Sequence, residues 1–323
     1  MIRYFKFPAY ALLFCSALLL SNEVLAKPFI AIVKSADIKA YSEPIEGFKE
    51  AIDADEFELQ VFNLEINKKK GREVVKTLKE KKPAVIFALG DLAARGMSYH
   101  FRSTPIIFTS VMNWQKHKLL KRKNVCGISL DVPAETLLTQ FKMAAKKREK
   151  IGIIWNESNS GDRFKDIEGK LQRLKLNPVL KPINESSEVS SSLKTISNKA
   201  DSLWAVADPS VYTEDNFREM VDLTLKNKLA FITYSENFVK AGALFAVSVN
   251  YSAIGAQAAD FLSQIIDESS NPEEIGIAAP IGSTLVINTH TAEKIGLVID
   301  PFILRQADVI IGKEDQEKEE SAN

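Results

Sequence analysis

Ala84-Val-Ile-Phe-Ala-Leu89 is an unbroken apolar run, closed by Gly90 and Asp91 and continued by a helical pattern over Asp91–His100. An apolar run without alternation reads as a strand buried on both faces, as in a parallel sheet. The neighbouring sequence repeats the theme. Phe29–Val33, Phe57–Asn63 and Pro105–Thr109 read as strands, a helical stretch lies around Pro44–Ile52, and Gly71–Lys81 sets Val74, Val75 and Leu78 on one helical face. Val125–Leu130 is a further strand, and beyond Pro133 the residues Leu137, Leu138, Phe141 and Ala145 recur at helical spacing. A second series follows, with strands at Ile151–Trp155, Pro178–Ile183, Leu203–Ala207, Leu229–Thr233, Ala243–Val249 and Leu285–Asn288. Helices around Phe164–Leu174, Ser190–Asn198, Phe217–Leu225 and Ile254–Ile266 separate most of these strands. Strands alternating with helices predict an α/β protein whose parallel sheets are covered on both faces, and two series predict two such domains.

The chain has 323 residues, 46% of them hydrophobic and 26% charged, which suits a folded protein of about two domains. Its 42 basic and 42 acidic residues balance. A chain built to coat nucleic acid or an anionic membrane carries a basic excess, so the ligand is expected to be small or locally matched.

Met1–Ala26 has Arg3 and Lys6, a mostly apolar stretch over Phe7–Leu20, and Val24 and Ala26 at the positions that precede a cleavage site. This pattern predicts a secretory signal peptide over 1–26, cleaved after Ala26, and hence a periplasmic protein beginning at Lys27. Phe7–Leu20 is shorter than the roughly 20 residues that span a bilayer. Cys15 falls in the signal and leaves Cys126 alone, so no internal disulfide is expected. The polar, charged tail over 312–323 is expected to be disordered.

Catalytic and cofactor motifs are missing: no G-x-S-x-G, P-loop, G-x-G-x-x-G, H-E-x-x-H or C-x-x-C occurs. His100, His117 and His290 are scattered, so neither a metal nor a cofactor is expected. What remains are polar residues at the carboxyl ends of the strands, where open α/β sheets bind ligands. In order these are Ser35 and Asp37; Gly90 and Asp91; Thr109 and Ser110; Asn156, Ser158 and Ser160; Asp208; Tyr234, Ser235 and Glu236; and Asn250. Backbone N–H groups there could hold an anion. Asp208 and Glu236 could pair with an ammonium group, and Tyr234 could cover an apolar or aromatic side chain. Ser, Asp and Asn at these positions also serve as helix N-caps.

Five stretches carry a resemblance. Lys240-Ala-Gly-Ala-Leu-Phe-Ala-Val-Ser-Val-Asn-Tyr-Ser-Ala-Ile-Gly-Ala-Gln-Ala-Ala259 resembles the signature of a family of ABC-transporter substrate-binding proteins. Leu285–Leu297 and Pro301–Ile310 are similar to its later motifs, and Pro105–Val111 and Asn124–Ser129 to two earlier ones. The resemblance spans most of Lys27–Ile311.

It implies the type I periplasmic-binding fold, two doubly wound parallel-sheet lobes joined by a three-crossing hinge. The lobes would comprise 27–124 with 250–284, and 125–249 with 285–311, with crossings near Asn124–Asp131, Ala246–Asn250 and Ser283–Asn288. It also implies capture of a small solute by hinge closure, a membrane permease as partner, a separate ATPase subunit, no nucleic acid and a monomeric state. Some relatives bind aromatic amino acids. Asn250 stands where the family often has Asp, which removes a charge that could meet an ammonium group; Asn113 and Cys126 depart from the usual Asp and Thr. The alternatives are a secreted α/β enzyme using Asp208 or Glu236 as acid or base, and a ligand-presenting partner of a sensor receptor. A sugar-responsive repressor of the same fold would need a DNA-binding module where this chain has its signal sequence.

Overall fold

The computed structural model describes residues 27–164, 167–208 and 210–312; the expected signal peptide with Cys15, and the tail from Lys313 on, lie outside them. The strands in chain order are β1 (Phe29–Lys34), β2 (Glu58–Asn63), β3 (Val85–Leu89), β4 (Ile106–Thr109), β5 (Val125–Ile128), β6 (Lys150–Asn156) and β7 (Asn177–Ile183). They continue with β8 (Ser202–Trp204), β9 (Ala230–Thr233), β10 (Phe245–Val249), β11 (Ile277–Ala278), β12 (Ser283–Asn288) and β13 (Val309–Ile311). One sheet runs β11-β5-β4-β3-β1-β2 with every pairing parallel. The other runs β13-β12-β10-β9-β8-β6-β7.

The unbroken apolar runs have a direct structural cause. In β3, Val85, Phe87 and Leu89 pack into one core, while Ile86 and Ala88 pack into another on the opposite face. β1 divides in the same way, with Ile30 and Ile32 on one side and Ala31 and Val33 on the other. Helices cover both faces, so neither set of side chains can be polar. The helix Lys68–Lys81 brings Val74, Val75 and Leu78 onto one face, as their spacing predicts.

The structure moves several expected boundaries. β5 pairs with β4, so the first lobe extends past Asn124 to Ile128 and the first crossing follows that strand. The second crossing lies at Asn250, between β10 and the helix Tyr251–Ile266. The third occupies 279–282, ahead of β12 rather than within it. Because β12 enters from the first lobe instead of through a helical crossover, it pairs antiparallel with β10, an exception to the all-parallel expectation. β8 ends at Trp204, earlier than expected, since the chain leaves the sheet at Ala205. β11 and β13 are too short to show a pattern in sequence.

The helix Lys39–Ala51 begins a turn ahead of the stretch expected around Pro44 and contains that proline in its interior. It lies against the helix Tyr251–Ile266 with the two backbones almost touching. A Cβ on Gly47 would sit 2.1 Å from the Ser252 carbonyl oxygen, and one on Gly255 would sit 2.1 Å from the Pro44 carbonyl oxygen. Both obstacles are backbone and cannot rotate away. Gly47→Ala and Gly255→Ala should each cost about 1–3 kcal/mol through forced separation of the helices. Thermal unfolding of the variants should show the loss, and an unchanged melting temperature would mean that the helices are not packed this closely.

Candidate functional site

The ends of the two sheets meet across a cleft of about 1030 Å³ lined from both lobes and from the crossing segments. The first lobe contributes one face of the helix Lys39–Ala51, with Glu43, Glu46 and Glu50, together with Met112 and Asn113 after β4. The second lobe contributes Phe164, Trp204–Ala207, Tyr234, Glu236 and Lys240. Leu130–Pro133 and Val249–Ser252, on two of the crossings, form part of the wall.

Of the residues predicted from strand ends, Tyr234, Ser235, Glu236 and Asn250 line this cleft. Burial, together with the charge of Asp208, pushes the Tyr234 phenol up to about 12. Its ring meets Phe238 edge-on at 5.4 Å. Glu236 is ion-paired to Lys240 at 3.0 Å. Asn250 both lines the cleft and caps the helix Tyr251–Ile266, accepting from the Ala253 N–H at 2.9 Å.

Asp91 and Ser110 line a smaller hollow of about 440 Å³ with Tyr41, Lys116 and His117, and this hollow shares Met112 and Asn113 with the main cleft. Ser110 and Asn113 both hold left-handed backbone, φ 59° and 49°. Left-handed backbone is uncommon for residues other than glycine. The Ser110 hydroxyl donates to the Ala40 carbonyl at 3.1 Å. That carbonyl is the one left without a helical donor by Pro44, so Ser110 restores the bond the proline removes. Gly90, at φ +86°, lies below Tyr41: a Cβ there would fall 2.4 Å from the tyrosine hydroxyl.

None of the remaining predicted residues lines the cleft, and most of them bond within the framework. The Ser35 hydroxyl donates to the Leu89 carbonyl and accepts from the Ala93 N–H, tying β1 to the start of the helix Asp91–His100. Thr109 donates to the Ile128 carbonyl across β4 and β5. Asp37 is exposed and ion-paired to Lys34. Asn156 caps the helix Glu157–Phe164 through Asn159. Ser158 is exposed, Ser160 is buried, and neither lines the cleft.

Asp208 is fully buried and accepts from the Asn156 and Ser210 N–H groups, the Ser210 hydroxyl and the Asn159 amide at 2.7–3.1 Å. Burial alone would raise its pKa, but the hydrogen bonds from Ser210, Asn159 and Asn156 outweigh that and hold it below the ordinary carboxylate value. Its charge is thus committed to joining the ends of β6 and β8. The amide oxygen of the same Asn159 side chain accepts from the Lys116 ammonium at 2.5 Å, so this network extends across to the first lobe.

Sequence reasoning missed the cleft face of the helix Lys39–Ala51, Met112, Phe164 and Trp204. The glutamates carried a signal in their i, i+3, i+7 spacing. Phe164 and Trp204 carried none that separates them from core aromatics.

Among the described residues no group of His, Cys, Asp and Glu could hold a metal ion, and no helix is long and apolar enough to cross a membrane. Cys126 is buried, its thiol pushed up to about 12 by desolvation.

A family model described as ABC transporter substrate binding protein matches residues 30–311. No curated protein matches the chain. Among solved structures, the chain is similar to a substrate-binding protein with adhesive properties from Clostridium difficile in its ligand-free, open form. That likeness has a TM-score of 0.75 at 20% identity and covers 88% of this chain and 100% of that one. An ABC domain in complex with L-Trp from Streptococcus pneumoniae matches with a TM-score of 0.62 at 18% identity over the same shares. A conserved domain protein from Vibrio cholerae O1 biovar El Tor matches with a TM-score of 0.61 at 21% identity, again over 88% and 100%. These likenesses establish the fold, which with its two sheets and three crossings is the type I periplasmic-binding fold.

Replacing Asp208 by Asn should cost about 1–3 kcal/mol at neutral pH, because an amide cannot accept from all four donors and leaves some of them buried and unpaired. A carboxylate with a depressed folded-state pKa adds stability that is present above its unfolded pKa and lost as pH falls through the folded one. The acid side of a stability–pH profile should therefore flatten in the variant. A variant as stable as the parent, with the same acid limb, would contradict this role.

Proposed function

Since the chain belongs to the ABC transporter substrate-binding protein family, we propose that it captures a small solute in the cleft by closure of its two lobes and passes it to a membrane permease driven by a separate ATPase subunit. The family consists of extracytoplasmic binding proteins rather than enzymes. A periplasmic location after cleavage at Ala26 accords with that and with the leader-like composition of 1–26. The carrying observation is the cleft itself: about 1030 Å³ walled by both lobes and bordered by two crossings. A solute seated there touches both lobes only when they approach, so it favours the closed arrangement by the contacts it adds, and by no more than that difference. Tyr234, Glu236 and Asn250 are the binding residues carried forward from the strand-end set. Asp91 and Ser110 line the smaller hollow that shares Met112 and Asn113 with the cleft, which supports a contribution from them on the first-lobe side.

Native mass spectrometry of the purified protein, followed by thermal shifts with the recovered compound, tests the reading. The expected result is a small molecule that leaves unchanged and raises the melting temperature on re-addition, by mass action on the folded state. Chemical conversion of the compound by the protein would overturn solute capture and favour an enzyme.

A further inference from the structure

The helix Lys39–Ala51 spends stability on the face it turns to the cleft. Glu43, Glu46 and Glu50 follow one another at i+3 and i+4, and all three line the cleft. Like charges at these spacings destabilise a helix. Glu50 also sits in the last turn, beside the negative end of the helix dipole, where a carboxylate is disfavoured. Nothing in the packing requires this pattern, since Glu46 and Glu50 are exposed.

The other charges of the cleft leave that excess standing. Its lysines among the described residues are Lys39, Lys170 and Lys240, paired with Glu43 at 3.3 Å, Glu135 at 3.5 Å and Glu236 at 3.0 Å. An anionic solute would have to take a cation from one of these carboxylates. The opposite wall is aromatic, with Phe164, Trp204 and Tyr234. Carboxylates on one lobe facing aromatic rings on the other suit a positive group carried on an apolar body, which both walls attract.

We propose that the solute is an organic cation without a free carboxylate, held between the Glu43–Glu46–Glu50 stripe and the aromatic wall. The proposal rests on the solute-capture reading above and names its ligand class. Asn250, which supplies no charge, is consistent with it: the negative charge comes from the first lobe's helix instead of from that crossing.

Tryptamine, L-tryptophan and indole-3-propionate share one ring and differ in charge, and they serve as probes in calorimetric titrations. Tryptamine should bind about tenfold more tightly than L-tryptophan, its affinity should fall as salt is raised, and indole-3-propionate should not bind. The Glu46→Gln/Glu50→Gln variant should lose several-fold in tryptamine affinity while its melting temperature holds or rises, because the like-charge repulsion is gone. A merely structural stripe would leave affinity untouched. Preference for L-tryptophan or indole-3-propionate overturns the cation class yet leaves solute capture intact. So does a blank across tryptamine, choline and spermidine when the recovered native compound binds. Conversion of a probe would instead overturn solute capture.

Discussion

The near-contact of two helix backbones, at Gly47 and Gly255, fixes the geometry on which the cleft depends. It locks the helix Lys39–Ala51 against the helix that follows the second crossing, so that the acidic face of one and the amino-terminal end of the other, Asn250 and Tyr251, share a wall. The interior proline that accompanies this packing leaves the Ala40 carbonyl without a helical donor, and Ser110 supplies one from the loop after β4. One steric constraint thereby couples the first lobe's helix, its strand-end loop and the hinge.

The second lobe is organised around a different kind of bond. Buried Asp208 gathers donors from the ends of β6 and β8 and holds in place the segment beyond Trp204, which lines the cleft beside the aromatic wall. A buried carboxylate is tolerated only when its lone pairs are filled, and here four donors fill them. Through Asn159 the network reaches Lys116 of the first lobe. Lys116 lies between Gln115, which donates to Asp131 on the first crossing, and His117, which faces Asp91 of its own lobe at 3.0 Å. Three successive residues thus touch the hinge, the opposite lobe and their own lobe. A change in lobe separation acts directly on this loop.

The sheets were legible because their physics is local and repetitive. A run such as Ala84–Leu89 has to be apolar throughout when both faces are buried. The crossings were only approximately legible, since β5 and β12 belong to one sheet or the other by long-range pairing that leaves no local mark. At the cleft, the rule that ligands meet strand ends picked out Tyr234, Ser235, Glu236 and Asn250, which line it, but did not separate wall from framework. Ser35, Thr109, Asn156 and Asp208 have the side chains of binding residues and use them on backbone donors and acceptors. Whether a polar side chain at a strand end faces solvent or its own fold depends on which loop packs over it. The glutamate stripe shows the converse: a pattern unfavourable to its own helix was visible in the sequence and gained meaning only once the cleft was seen beside it.

The central claim is that a solute draws the two lobes together. Small-angle scattering from the protein, alone and saturated with the compound it carries, tests this most directly. The account predicts a smaller radius of gyration with the compound bound and a return to the starting value when it is dialysed away. Identical scattering curves at saturation would contradict it.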